Sequence, residues 1–523
     1  MRTKGGAAPL LVALLLSLAL ARTSSTTATT PPTTDDDSDA PPFPTFYFYL
    51  RPFESDRRAA YQHPMVSLGE GLCALVRSAS VAAVSDCWWP SNVDYWPTQP
   101  SRAEPQYLFR RQSLREVAAS AAANASSSSS SSSSSLSPSG ADESGLAHLV
   151  VVVSALTDLR LLPPKLLAPR EMRRGRVSVH DLSVPGDVAA AAKDAAGGAK
   201  SALARASTVF VDWRDGVYFN PVASANFDLY FKAHFAKYVR SFNASGNVRV
   251  GSFYLTNRIL SAARAAREDA ADAAATETVL FPHGGARLNL DVRSFAWNEF
   301  YAASFEEGFV AADHDGSARW SGEDGSGHFW WEVTGHRHNP GFFRRLAHYA
   351  ACDCSGGYFY DQDTSETITG AALTAEALAG RDEGSGAPSK RSIGLFQWES
   401  FKLWESFAVG CAVIMPELER YGLELPIMPT PWEHYVPLRL DNKSSLDGLS
   451  ARLQTMPRSE LRAIGDRGRS WALDNYCPEC WARRLIRELR SSIIPESKPN
   501  RKDHRTTSNS RGHFDRLSPG GDL

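Results

Sequence analysis

The 523-residue chain carries almost no net charge: 56 Lys and Arg stand against 58 Asp and Glu, a formal −2. A chain-wide field able to gather nucleic acid or another polyanion is therefore missing. Long apolar runs are equally scarce. Residues 7–21 form the one stretch to consider for a bilayer, and about 15 residues falls short of the roughly 20 that a spanning helix needs. Cysteines number seven, at 73, 87, 352, 354, 411, 477 and 480, so at least one is unpaired however the others bridge. Core-building material is plentiful. At 43% hydrophobic and 10% aromatic content with 13 Trp, the chain has enough for roughly two to four domains.

Arg2 and Lys4 precede the apolar run, and Ala19-Leu20-Ala21 has the small-x-small form of a cleavage site. Residues 1–22 read as a signal peptide or an uncleaved signal anchor, which would be the chain's one contact with a membrane. A Ser/Thr/Pro/Asp stem over 23–44 cannot bury a core. Asn-x-Ser triplets at Asn124, Asn243 and Asn442 agree with a lumenal setting. The expected location is the secretory pathway, in the Golgi or ER lumen, or outside the cell. Cys352-Asp-Cys354 and Cys477-Pro-Glu-Cys480 have spacings that fit zinc or disulfides, and an oxidising compartment favours disulfides. Cys411 falls in an apolar strand pattern and reads as packing.

Ordered sequence begins with the aromatic strand pattern at 43–53, and helical spacing follows from His63. The β-branched runs at 148–156, 207–213 and 247–255 have the look of strands buried on both faces of a parallel sheet. "FDLYFKAHFAKYV" is expected to be an aromatic helix between two of them. Strands alternating with helices make 45–300 one doubly wound domain, interrupted by a low-complexity insertion at 121–146. A second α/β run covers 325–493, and the basic tail 494–523 is expected to be disordered.

The stretch "FQWESFKLWESFAVGCAVIMPE", 396–417, carries the most chemistry. A helix over about 399–409 puts Lys402 and Glu405 three apart on one side. Gly410 suits the left-handed position that ends a helix, and an apolar strand follows, stopped by Pro416. With a strand over 391–396, the whole reads as a βαβ crossover, and open α/β sheets bind ligands where strands end and helices begin. Elsewhere, "WEVTGHRHNPGFFRRL" offers Gly335 at a strand end, with Arg344 and Arg345 on the next helix within reach of an anion. Asp212 ends a buried strand and His63 opens the first helix; each is a candidate general base. Asp361-Gln362-Asp363 is the Asp-x-Asp arrangement that can hold manganese against a diphosphate.

Residues 396–417 resemble the signature of glycosyltransferases of the two-Rossmann-domain (GT-B) type, the group 1-like transferases among them. There a glutamate opens the loop and a second follows eight positions later; here the second is Glu405 and the first is replaced by Gln397. The segment is also similar to the Ser-x-Arg/Lys-x-x-Glu-Ala-x-x-x-Gly-Cys pattern of exostosin-like transferases. The resemblance covers about 30 residues and continues loosely through 460–476. It implies an α/β fold of two Rossmann-like domains facing a cleft. The implied activity moves a sugar from a nucleotide-sugar donor to a hydroxyl of a glycan or glycoprotein, with no resident cofactor and no bound metal. Glu405 would hold a ribose, Lys402 a pyrophosphate and Gln397 a hydroxyl. The alternatives are a metal-dependent transferase using Asp361 and Asp363, and a catalytically silent carbohydrate-binding protein of the same fold.

Overall fold

Seven β-strands lie side by side in the first sheet of the computed structural model. The described residues are 44–50, 63–79, 88–91, 108–129, 149–155, 206–213, 221–237, 246–270, 276–281, 310–312, 340–356, 358–361, 367–368, 393–396, 398–440 and 443–493. The expected signal, stem and tail lie outside them. The sheet order is β3 (Phe109–Arg111), β2 (Trp89–Ser91), β1 (Thr45–Tyr49), β4 (Leu149–Ala155), β5 (Ala206–Asp212), β6 (Leu229–Lys232), β7 (Val248–Val250), and every pairing is parallel. Its central strands are largely apolar because both faces are covered, while the edge strand β3 ends in exposed Arg110 and Arg111. Phe46, Phe48, Val150, Val152, Val209 and Val211 belong to one core, while Tyr47, Val151, Val153 and Phe210 belong to the other. Period-2 alternation thus divides each continuous apolar run between two layers.

One expected helix is a strand. Within "FDLYFKAHFAKYV", Leu229 and Phe231 pack on one face and Tyr230 on the other, in register with Val209–Val211. Burial on both sides suits an extended chain, since a helix of that composition would need apolar cover all round. The helices of this half are α1 (His63–Ala79), α2 (Leu114–Ser129) and α3 (Pro221–Asn226). Ser113 and Glu116 start α2 with a reciprocal capping box, at 3.3 and 3.0 Å. The helix runs on through Ser129, so the first nine residues of the low-complexity block 121–146 are helical.

α4 (Asn257–Ala270) leads into the second half, whose sheet orders β15 (Val436–Leu438), β14 (Ala412–Pro416), β10 (Tyr349–Asp353), β8 (Thr276–Phe281) and β9 (Val310–Ala312), again all parallel. β8 corrects the expected division near 300: Leu280 pairs with Cys352, so residues 276–281 belong to the second sheet. α5 (Pro340–His348) and α6 (Phe401–Val409) flank this sheet, followed by α7 (Lys443–Thr455), α8 (Arg458–Tyr476) and α9 (Pro478–Ile493).

The expected βαβ crossover is also revised. β13 (Ile393–Phe396) pairs antiparallel with β11 (Tyr358–Asp361), which pairs with β12 (Thr367–Ile368) in a separate small sheet. The crossover that carries α6 runs from β10 to β14, with this three-stranded sheet inserted into it. Cys411 does more than pack: Cys352–Cys411 and Cys477–Cys480 are disulfides, Cys73 is also bridged, and Cys354 is a buried free thiol. The disulfides take the thiols that zinc would need. No helix among the described residues is long and apolar enough to cross a membrane.

α9, which no sequence pattern singled out, leaves the second half and returns to the first. Trp481 donates its indole N–H to Pro64 O at 3.1 Å and stacks on Tyr254 at 4.6 Å. Gly71 of α1 allows the approach, since a Cβ there would collide with the Pro478 carbonyl.

Candidate functional site

α6 is short, and eight of its nine residues are buried. Ser400 precedes it in extended conformation with no side-chain capping bond, and Gly410 ends it at φ 85°. Two guanidinium groups hold the carbonyl end: Arg267 donates to Val409 O at 2.7 Å and Arg469 to Ala408 O at 3.0 Å. Positive charge at a helix C-terminus complements its dipole. Because α6 runs antiparallel to the strands, its N-terminus comes to the carboxyl end of the second sheet. There the Cys354 thiol, just past β10, lies 3.2 Å from Ser406 Oγ and 3.6 Å from Lys402 O. Burial pushes that thiol up to about 12, so it stays protonated. Ser355 donates to the buried Asp353 carboxylate at 2.7 Å.

Lys402 is half-buried, with Nζ 5.7 Å from the centre of the Phe342 ring on α5. Glu405, one turn on, is fully enclosed, close enough to Cys354 for its charge to act on the thiol. The structure therefore brings Lys402 and Glu405 together at the carboxyl edge of the second sheet.

The carboxyl edge of the first sheet meets the chain where it enters α6, at Glu399 and Phe401. Glu399, directly before α6, accepts at Oε1 from the Phe253 N–H at 2.9 Å, from the Trp404 indole at 2.7 Å and from the Ser252 hydroxyl. Its own N–H donates to His234 Nδ1 at 3.1 Å. His234 follows β6 and Ser252 follows β7, so both come from the first half. Leu423 bridges Ala236, and Lys237 N–H donates to Gly422 O at 2.7 Å, closing the same seam. Burial raises the Glu399 carboxyl, opposed by its three donors. Burial first, then the Lys232 charge, holds His234 well below 6.5, so the imidazole is neutral. A second seam contact joins Glu70 of α1 to the Asn257 N–H at 2.7 Å, where burial lifts the carboxyl to about 8.

Of the remaining sequence candidates, Asp212 lies near His234 but is already engaged, and the others fall apart from this cluster. Asp212 is fully enclosed, paired with buried Lys232 at 3.6 Å and accepting from the Tyr230 hydroxyl. That is a buried ion pair within the first sheet, with no opening for an acceptor hydroxyl. Arg344 forms an exposed pair with Asp269 at 3.0 Å between α5 and α4, away from an anion site, and Arg345 beside it is half-buried. His63 is the first residue of α1, and Asp361 ends β11. Gln397, Gly335 and Asp363 lie outside the described residues. Among the described residues no cluster of three His, Cys, Asp or Glu side chains is placed to hold a metal.

Sequence reasoning missed Glu399, His234 and Ser252 as seam residues, and missed Lys232 as the partner of Asp212. For His234 and Lys232 the reason is direct: with 227–239 taken as helix, neither is seen to end a strand.

No family model matches the chain, and no curated protein sequence matches it. Solved structures with a partial likeness include the alpha,alpha-trehalose 6-phosphate synthase of Burkholderia multivorans, with TM-score 0.38 and 10% identity over 86% of this chain and 99% of that one. HepE of Anabaena, in complex with UDP-glucose, gives 0.37 and 7% over 85% and 99%. A glycosyltransferase of Rickettsia africae gives 0.37 and 7% over 87% and 100%. At these scores the likeness carries no argument; the fold stands on its own strand pairings.

Proposed function

We propose that the protein is a glycosyltransferase of the secretory pathway, moving a sugar from a nucleotide-sugar donor to a hydroxyl on a glycan or glycoprotein. The observation that carries this reading is the meeting of two parallel sheets by their carboxyl edges at α6, where Lys402 and Glu405 sit one turn apart. Open α/β sheets bind ligands at that edge. Lys402 and the α6 N-terminus would neutralise the diphosphate as the sugar–phosphate bond breaks. Glu405 would accept from the ribose hydroxyls; because it is enclosed, the chain around α6 must open before a ribose reaches it. Gln397, Gly335 and Arg345 complete the proposed donor side. With Asp212 held in its ion pair, His63 is the base proposed for the acceptor hydroxyl.

The burial of Asp212 also favours a second reading, a protein that binds nucleotide sugars or glycans without turnover. Thermal unfolding with UDP and GDP, with and without manganese, tests both. A nucleotide present at a hundred times its Kd should stabilise the fold by about 2.7 kcal/mol, and Glu405→Ala should abolish the shift. Hydrolysis of a nucleotide sugar then separates the enzyme from the silent binder. No shift with any nucleotide would end the transferase reading and the nucleotide-sugar form of the second.

A further inference from the structure

The Glu399–His234 contact joins the two halves at a buried point of the seam. Glu399 is 3% exposed and His234 is wholly buried. Between them they make three direct hydrogen-bond links between the halves: Phe253 N–H and Ser252 hydroxyl onto Glu399, and Glu399 N–H onto His234. A fourth bond, from Trp404, ties the same carboxylate oxygen into α6. The other oxygen, Oε2, is buried without a hydrogen-bond partner among the described residues. His234 holds a left-handed backbone at φ 53°, which a residue other than Gly adopts when its surroundings impose it.

We propose that Glu399 and His234 form a latch between the halves, a positioning device that fixes the N-terminus of α6 against the first sheet and that protonation of His234 releases. This rests on the nucleotide-sugar reading only where it says what the latch positions, namely Lys402 and Glu405.

The chemistry of release follows from the tautomer. Nδ1 accepts the Glu399 N–H, so in the neutral ring it carries a lone pair. A proton added there turns the acceptor into a donor facing another donor, and the bond is lost. Among the described residues, the charged groups acting on the ring are Lys232 and Asp212, both from the first sheet, while the Glu399 carboxylate on the α6 side is taken up by Ser252, Phe253 and Trp404. Burial and Lys232 oppose the new charge and outweigh Asp212, which favours it although paired with Lys232; Glu399 is itself pushed towards neutrality by burial. The Phe253 and Trp398 rings close the remaining sides at 5.4 and 6.4 Å. A group whose folded value is depressed contributes stability above its unfolded value and loses it as pH falls. The latch is therefore intact above about 6.5 and weakens as pH falls below it.

Amide hydrogen exchange on the full chain tests this without a ligand. In the wild type, 251–256 and 398–409 should be protected near neutral pH. Both should lose protection together, by about tenfold or more after correction for intrinsic rates, at about pH 5, while α1 and α9 stay protected. His234→Asn keeps an acceptor near the Nδ1 position and tolerates the left-handed backbone, but cannot titrate. It should hold both segments protected at both pH values. Glu399→Ala, which removes the acceptor of the Ser252, Phe253 and Trp404 donors, should leave both unprotected at both; Ser252→Ala, which deletes one donor, should show a smaller loss if the first variant does not fold. Segments that respond separately, or a His234→Asn protein that keeps the wild-type pH response, would overturn the latch. Titration with UDP and GDP is a separate arm, and an absent thermal shift there counts against the nucleotide reading alone.

Discussion

Asp212 and Lys232 show how far a residue's identity and its role can separate. A carboxylate at the end of a buried strand is where sequence logic looks for a base, and the strand is there, yet the side chain is spent on the residue paired with it on the adjacent strand. Removing one member of a buried pair leaves the other charge uncompensated, which costs about 3–5 kcal/mol, whereas removing both is often close to neutral. Asp212→Asn should therefore lower stability by about that amount in urea unfolding, and Asp212→Asn with Lys232→Met should recover most of it. A catalytic base would behave differently, losing turnover with the unfolding midpoint unchanged. Lys402 and Glu405 were legible because helical spacing alone puts them together. Glu399 and His234 were not, because the contacts of Glu399 with Ser252 and His234 span 147 and 165 residues of chain, and no local periodicity encodes such a distance.

Among elements, α6 is the one whose ends are best defined by chemistry. Gly410 at φ 85° stops it, and Arg267 and Arg469 take the carbonyls that the stop leaves open. Gly410→Ala would force a side chain into the left-handed region, costing about 1–2 kcal/mol. The new methyl would also collide with Arg267 Nη1. The guanidinium can swing away, so the expected loss is about 1–2 kcal/mol plus the weakened Arg267 bond, read as a shift in denaturant midpoint at constant m-value. α6 and its stop were readable from sequence, since glycine enters the left-handed region without a Cβ penalty and so ends an apolar helix cleanly. β6 was not. "LYFK" set among aromatics fits a buried helix and a two-faced strand equally, and the decision belongs to Val209–Val211 and Val248–Val250 on either side of it.

For the whole molecule, the two parallel sheets were legible as alternating strands and helices, and their division was displaced because β8 pairs with a strand about 70 residues further on. Besides the seam at Glu399 and 232–237, α9 ties the two halves together. It follows the second half in sequence but packs on α1: Trp481 meets Phe231 at 4.7 Å and Tyr254 at 4.6 Å, and Arg249 pairs with Glu488 at 2.7 Å. The ion pair is partly exposed and worth little, whereas the indole is buried with Ala482, Leu485 and Leu489 in the same core. Trp481→Ala removes a wholly buried ring and a hydrogen bond to Pro64 O, a loss of about 3–5 kcal/mol. Because that energy joins the halves and does not sit inside either, its removal should change the form of unfolding as well as its midpoint. Calorimetry of the wild type should give one transition, and the variant should give two, the first half melting earlier because α1 has lost its cover. Arg249→Ala is the control, since it touches the same contact with little energy at stake and should keep a single transition. A single transition in Trp481→Ala, merely shifted down, would mean that Glu399 and the 232–237 seam couple the halves without α9.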